Sequence, residues 1–482
     1  MKAPNDRPVR VRMAPSPTGP IHVGNIRAGI YNWLFARQND GVFVLRIEDT
    51  DTERSRKEFD TQILEAFTWL GIDWDEGPTL DGGHKGDHGP YRQSERKDIY
   101  KKHLEQLLHE GKAYYCYCTP EELEAQKQSL SSQGLAVKYS GRCHTAPPAG
   151  REPQVIRLAT PNVNIEVKDI IRGTLTFDAG LLGDMIIAKD LNRALYHFAV
   201  VVDDELMQIS HVIRGEDHLS NTPKHILIQR ALGFETPIYA HLPLMLNETR
   251  QKLSKRSAET SLMELQQEGF LPEAIINFLA LMGWHPSGDE SEVMTTNELI
   301  EKFELKRVQK GGAVYNTDKL HWLNREHIKS RNNKNLVKLL IPFLHSAGIE
   351  AGVDQVIKAL ALVKDRMTTL ADFLTLSGFL FKLPEYPEKL LVWKDSNMAD
   401  TKNVLEKVKH IFVGIIDNKW VKDELQSSLT PMMEEKGRGS VLWPLRVAVS
   451  GMQSSPDPLD IAITLGKEET LRRIEVAIKK LG

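Results

Sequence analysis

No stretch of the 482-residue sequence holds the ~18 consecutive apolar residues that a membrane-spanning helix needs, so no segment is expected to cross a bilayer. The run before Arg10 is too short for a signal or transit peptide, and the protein is expected to stay in the cytoplasm. Cysteine is scarce: Cys116, Cys118 and Cys143 are the three in the chain. An odd number in so narrow a window argues against a disulfide framework and suits metal ligation in a reducing compartment. Charge of either sign is nearly balanced, at −3 net, which argues against a whole-surface affinity for nucleic acid, so any RNA contact must use local basic patches. There is no internal repeat and no low-complexity segment. A phosphate-binding P-loop is missing too, because Gly24 and Gly29 are followed by Ile30 and Tyr31 where lysine and a hydroxyl residue would stand, which removes P-loop kinases and ATPases.

What is present is the composition of an ordinary globular chain, 41% apolar and 26% charged, with length for about three or four domains. Val9–Met13 alternates as a strand and runs into the breaker-rich loop Ala14–Pro20. A helix is expected from about Gly24 to Arg37, with Ile26, Ile30, Trp33 and Leu34 on one face, and a second strand over Val42–Ile47. Strand, helix, strand implies a parallel sheet with its ligand at the strands' C-terminal edge. The segments Asp184–Leu206 and Gln208–Ile213 also read as strands. Thr222 and Pro223 read as an N-cap and first helical residue before Lys224–Leu232. The sheet therefore resumes after an insertion of roughly 100 residues that carries the cysteines. Beyond Met294 the apolar spacing turns helical, over Asn335–Phe343, Gln355–Leu362, Thr369–Phe379, Val404–Ile411 and Leu471–Leu481.

Pro20-Ile21-His22-Val23-Gly24-Asn25 stands at a strand-to-helix turn, where free N–H groups and the positive helix end suit a phosphate. Gly24 permits close approach, and His22 can donate to a phosphate oxygen. Alone, such a histidine is more often a helix cap or core residue. A partner comes much later in Lys252-Leu253-Ser254-Lys255-Arg256, whose three cations can clamp a triphosphate and stabilise leaving pyrophosphate, although alone it is more often a solvated basic turn.

Together the two motifs resemble the HIGH and KMSKS signatures of class I aminoacyl-tRNA synthetases. Arg12–Gly19, Arg46–Asp51 and Ile213-Arg214-Gly215-Glu216-Asp217-His218 resemble the glutamyl/glutaminyl subgroup, from Arg12 to about Arg325. That resemblance implies ATP with Mg2+ as cofactor, with Pro20, His22, Gly24, Asn25, Glu216, Asp217, Lys252, Ser254, Lys255 and Arg256 around the nucleotide, and His22, Lys252 and Lys255 in catalysis. Glu216 and Asp217 would face the ribose or the terminal adenosine, or be structural. It implies that Arg12 and Arg214 hold a γ-carboxylate, Glu48 the ammonium, Tyr196 the pocket's closure, and Ala14 and Ser16 its lining loop. Bidentate guanidinium recognition of a carboxylate fits the two arginines. Their alternative is a structural ion pair with Glu48 or Asp217, and for Tyr196 it is plain packing.

Cys116-x-Cys118 with Cys143-His144 has the ligand types of a zinc knuckle, its fourth ligand either Tyr139 or His144; three reduced cysteines packed as small apolar groups are the alternative. Similar sites in the family help hold the tRNA acceptor end. The helical C-terminal region is similar to that of the bacterial glutamyl members, notably over Gly312–Asn324 and Leu442–Ala448. The expected architecture is an α/β Rossmann-like catalytic domain with a zinc-type insertion, followed by an all-α anticodon-binding domain. Its segments are residues 1–110 and 196–245 for the two catalytic halves, 111–195 for the insertion, 246–330 for the KMSKS loop and stem-contact region, and 331–482 for anticodon binding. Arg446 is the anticodon candidate, against a surface-pair role, and Arg472-Arg473 and Lys479-Lys480 read as solvated faces. The implied activity is attachment of L-glutamate to tRNA-Glu by a monomer, with tRNA-Gln as a second acceptor in the alternative form, or a paralogue charging another acceptor as the further alternative. Two other classes remain: a nucleotidyltransferase acting on a small metabolite, which has no use for the cysteine insertion and helical tail, and a non-catalytic paralogue, against which the intact polar set argues.

Overall fold

The structure is a computed structural model and describes residues 7–51, 53–253, 261–288, 291–394 and 396–482. The chain forms two compact units, the first running to Gln266 and taking in Pro272–Leu320, the second made of Gln267–Leu271 and His321–Gly482. Among the described residues no helix is long and apolar enough to cross a membrane.

In the first unit the strand Arg10–Met13 pairs in parallel with Val42–Leu45, Arg12 opposite Val44, and the helix Val23–Gln38 connects them. The expected face of that helix is buried, and so are Arg27, Tyr31, Asn32 and Phe35 on other sides. The helices Pro272–Leu281 and Thr296–Lys302 also pack on it, which explains why its sequence is apolar nearly all round. Ser210 ties the two halves of the nucleotide fold: its amide donates to the Arg10 carbonyl (2.9 Å) and its hydroxyl accepts from the Arg10 amide (2.8 Å).

Beyond Ser210, the strand His211–Gly215 runs parallel to Ile238–Leu242, with Arg214 directly opposite His241. Asn164–Asp169 joins the far side of that pair, with Asp169 opposite Tyr239, and closes a hairpin with Gly173–Asp178. A separate antiparallel sheet carries the cysteine region, in the order Arg193–Ala194, Ile186–Asp190, Val155–Leu158, Ala113–Cys116. Thus part of the segment between the catalytic halves completes the sheet that holds Arg214.

Two expectations are corrected. The run Asp184–Leu206 is a strand only over Ile186–Asp190, with a short piece at Arg193–Ala194, and Tyr196–Leu206 is a helix. Phe198–Asp204 is buried throughout, so its sequence carries no face-to-face alternation from which helix and strand could be told apart. The helix of Thr222–Leu232 is preceded by Asn221, and Thr222 lies inside it as its first residue with Pro223 in the first turn. The Thr222 hydroxyl is engaged elsewhere, by Arg214.

The second unit is helical: Asn333–Ser346, Val353–Val363, Asp372–Phe381, Met398–Gly414, Lys422–Lys436, Arg438–Ser450, Pro458–Leu465 and Lys467–Lys480. Leu340, Leu360, Phe373, Leu405, Phe412, Leu425, Leu445 and Ile474 form its core. One basic pair departs from expectation. Arg472 is exposed and pairs with Glu469, whereas Arg473 is buried and donates to the carbonyls of Phe379 (2.8 Å), Leu380 (3.3 Å) and Val449 (2.7 Å). Those carbonyls belong to the last turns of two helices, where acceptors lack partners in their own ladders.

Candidate active site

A cavity of about 380 Å³ opens at the C-terminal ends of the parallel strands. It draws together Arg12, Ala14, Ser16, His22, Gly24, Asn25, Glu48, Tyr196, Arg214, Asp217 and Lys252 from segments far apart in the chain. A second hollow of about 230 Å³ shares Ser16, His22 and Asn25 and adds Pro20. Ser254, Lys255 and Arg256 lie outside the described residues.

His22 is the N-cap of the helix Val23–Gln38, its Nδ1 accepting from the Gly24 amide at 3.0 Å. An imidazole that accepts at Nδ1 carries its proton on Nε2 when neutral. The cap therefore leaves His22 a donor at the other edge of the ring while it lines the cavity. Gly24 is required by this arrangement, since a Cβ there would lie 2.6 Å from His22 Cε1.

The two arginines of the cavity are held in different ways. Arg12 donates to Asp204 Oδ1 at 3.2 Å, and Arg46, fully buried, donates to the same Asp204 oxygen (2.8 Å) and to Glu48 Oε1 (3.1 Å). Arg12, Asp204, Arg46 and Glu48 thus form an alternating row whose charges cancel. Burial pushes the Glu48 carboxyl up and the Arg46 and Arg12 charges oppose that shift. Arg12 is in a structural ion pair, but with Asp204 from the helix Tyr196–Leu206 instead of Glu48 or Asp217.

Arg214 forms no ion pair among the described residues. It donates from Nε to His241 Nε2 (3.3 Å), from Nη1 to His225 Nδ1 (3.3 Å), and from Nη2 to Thr222 Oγ1 (2.8 Å) and the His218 carbonyl (3.4 Å). Each partner accepts as a neutral group: His241 Nε2 and His225 Nδ1 offer lone pairs that a doubly protonated imidazole lacks, and burial lowers the pKa of both rings, that of His225 well below the ordinary imidazole value. Since guanidinium can only donate, it also fixes the rings' tautomers. His225 accepts at Nδ1, so its proton sits on Nε2 and is shared with His197 Nδ1, 3.1 Å away. The result is one buried cation, with four neutral acceptors, at the wall of an open cavity. Tyr196 stands beside it, its phenol 3.4 Å from His218 Nδ1 and its pKa pushed up to about 12 by burial.

Glu216 and Asp217 separate. Glu216 pairs with Arg172 and accepts from the Leu244 amide (2.7 Å), so its carboxylate is engaged in bracing the strand end, while Asp217 lines the cavity and lies 3.7 Å from Lys252 Nζ. Sequence reasoning missed Asp204, Thr222, His225, His241 and the role of Arg46. Arg46 stands two residues before Glu48 in the same motif, and Asp204 lies in the run whose apolar pattern reads as a strand.

At the insertion the three cysteine sulfurs lie within 4.8 Å of one another without a disulfide. The Tyr139 phenol oxygen stands 3.3 Å from Cys118 Sγ and 3.5 Å from Cys116 Sγ. His144 is exposed and stacked on Tyr114, ring centroids 4.7 Å apart. Three thiols and a phenol converging on one point are a donor set that suits zinc.

Residues 8–322 match the family model described as tRNA synthetases class I (E and Q), catalytic domain. The chain is a member of that synthetase family. Residues 335–478 of this synthetase match a second model, an anticodon-binding domain. It is similar to the glutamate–tRNA ligase of Moorella thermoacetica, 42% identical with 98% of each chain covered, and to glutamate–tRNA ligase 1 of Thermoanaerobacter sp., 43% identical over 98% of this chain and 99% of that one. Among solved structures it is similar to a glutamate tRNA ligase from Elizabethkingia meningosepticum in complex with its amino acid, with a TM-score of 0.88 and 34% identity over 99% of this chain and 100% of that one. In the synthetase's helical unit, Arg446 Nη1 donates to Ser455 O (2.5 Å), Ser455 Oγ (3.1 Å) and Pro456 O (2.9 Å), holding the turn before the helix Pro458–Leu465.

Proposed function

We propose that this synthetase attaches L-glutamate to tRNA-Glu through a glutamyl-adenylate, with release of diphosphate and then AMP. The observation that carries the reading is Arg214, a buried cation in the cavity with neutral partners only. An uncompensated charge in such a place is unfavourable by several kcal/mol, roughly the penalty for one partner of a buried ion pair left alone. A side-chain carboxylate supplies the missing anion and an amide does not, so the site favours glutamate over glutamine. Arg12 approaches the same carboxylate, Glu48 accepts the ammonium, Tyr196 closes the pocket, and Ala14 and Ser16 line it.

The substrate's α-carboxylate then attacks the α-phosphate of ATP in line, and diphosphate leaves. The protein supplies position and charge stabilisation and no nucleophile of its own. His22 donates from Nε2, Gly24 and Asn25 admit the phosphates at the helix N-terminus, and Lys252, Ser254, Lys255 and Arg256 clamp the leaving group; Mg2+ bound with ATP would offset part of the phosphate charge. Asp217 faces the ribose, with Glu216 bracing the strand behind it. In the second step the terminal ribose hydroxyl of tRNA attacks the adenylate's carbonyl.

Cys116, Cys118, Cys143 and Tyr139 would hold one zinc ion, which supplies a structural cross-link within the acceptor-binding insertion (111–195). The catalytic halves (1–110, 196–245) and the stem-contact region (246–330) lead to the anticodon-binding helices (331–482), where Arg446 shapes a candidate base-reading turn. The enzyme works as a cytoplasmic monomer. Charging of separate tRNA-Glu and tRNA-Gln transcripts with labelled glutamate, and glutamine as control, tests the reading. Glutamate on tRNA-Glu is expected; transfer to tRNA-Gln as well would mark the wider acceptor range, and transfer to neither would overturn the proposal.

A further inference from the structure

The partner of Arg214 across the sheet is itself held by a residue to which the proposed reaction gives no role. Asp169 is buried at the end of the strand Asn164–Asp169, and its Oδ2 accepts from His241 Nδ1 at 2.6 Å and from the His241 amide at 3.0 Å. Its Oδ1 accepts from the amides of Ile171 (2.8 Å) and Arg172 (2.7 Å), so the carboxylate cannot swing away. His241 therefore carries its proton on Nδ1 and offers Nε2 as a lone-pair acceptor. Two donors use that lone pair, Arg214 Nε–H at 3.3 Å and the Thr222 hydroxyl at 3.0 Å, and Thr222 Oγ1 in turn accepts from Arg214 Nη2. The other tautomer would set an N–H of His241 against the Nε–H of a guanidinium that cannot accept.

We infer that Asp169 and His241 are positioning residues for amino-acid selection: the carboxylate fixes the imidazole tautomer, and the imidazole fixes the roll of the Arg214 guanidinium toward the substrate's side-chain carboxylate. This rests on the reading of Arg214 as the carboxylate's partner. A neutral imidazole does here what a second carboxylate could not. It orients the guanidinium through a directional hydrogen bond without cancelling the charge that selects an anionic substrate. The Asp169 charge stays one ring further back. The same logic of an outer partner setting the ring tautomer of an inner one governs metal-bound histidines and hydrolase triads.

Steady-state charging kinetics on the full-length enzyme separate the possibilities. Arg214→Ala is measured first; an unchanged KM for glutamate would remove the reading on which the inference stands. With that KM raised, Asp169→Asn is expected to raise the glutamate KM about tenfold to a hundredfold, the range for loss of an outer-shell partner, while the KM for ATP holds. His241→Leu should do the same. His241→Gln should recover most of what His241→Leu loses, because its amide oxygen can accept where Nε2 did. In the His241→Gln background Asp169→Asn should then add little, since no tautomer remains to be set. If Asp169→Asn is equally damaging in both backgrounds, or if His241→Leu binds glutamate as the unsubstituted enzyme does, the positioning role is wrong. The His241→Leu and His241→Gln pair decides the matter alone if Asp169→Asn does not fold.

Discussion

Arg12 and Arg214 carry the same group into one cavity, and their partners give them different work. Arg12 shares Asp204 with Arg46 and sits in a row of charges that cancels, so it brings geometry with little unbalanced field. Arg214 brings the field, because four neutral acceptors hold it without neutralising it. A comparable division exists within His22, whose Nδ1 secures the helix start and leaves the Nε2 edge as donor. This depends on the absence of a side chain at Gly24, where a Cβ would meet the ring at 2.6 Å. Gly24→Ala is therefore expected to displace the imidazole and lower the rate of adenylate formation by ~10²–10³, the range for one lost charge-stabilising donor, with the far-ultraviolet spectrum unchanged. Unimpaired adenylate formation would show that the ring's position is immaterial.

Among elements, the cysteine knuckle and the last helix make separable claims. Tyr139→Phe, which removes one of the four donors, should weaken zinc binding in a chelator competition, and His144→Ala should leave it as it was; the reverse result would transfer the fourth ligand to His144. Arg473→Ala leaves two helix ends with unpaired buried carbonyls, and is expected to lower the stability of the helical unit by about 3 kcal/mol in denaturant unfolding. A change within about 0.5 kcal/mol, the usual effect of a surface substitution, would return Arg473 to the solvated face its sequence suggested. That face was a reasonable expectation, since Glu469 stands one helical turn before it, and only the convergence of two other helix ends makes it a buried anchor. The strand, breaker-rich loop and helix around His22 were legible because each has its own local signal. The helix Tyr196–Leu206 was not, because its middle is buried on every side and offers no period to read. The Asp169–His241–Arg214 alignment was beyond reach for a different reason: it exists only through the register of three strands brought together from distant parts of the chain.

At the scale of the whole molecule, the buried histidines couple stability to pH. Burial holds His197, His211 and His218 down to about 4, against about 6.5 in an unfolded chain, and lowers His225 and His241 as well. Between those values the unfolded chain binds more protons, so stability should fall as pH drops from about 6.5 toward 4, opposed in part by Glu48 and Asp203, whose carboxyls burial pushes up. Unfolding midpoints that stay level across that window would contradict the neutral state of these buried histidines. Neutral His225 and His241 leave Arg214 as an unmatched charge, and the proposed selection of the substrate rests on that charge. The direct measurement is kcat/KM for glutamate and for glutamine in tRNA charging, on the unsubstituted enzyme and on Arg214→Leu. Discrimination of ~10⁴ or more is expected in the first, as for a site built around one polar group, and loss of most of it in the second through the glutamate value. Undiminished discrimination by Arg214→Leu would place the selection elsewhere in the cavity.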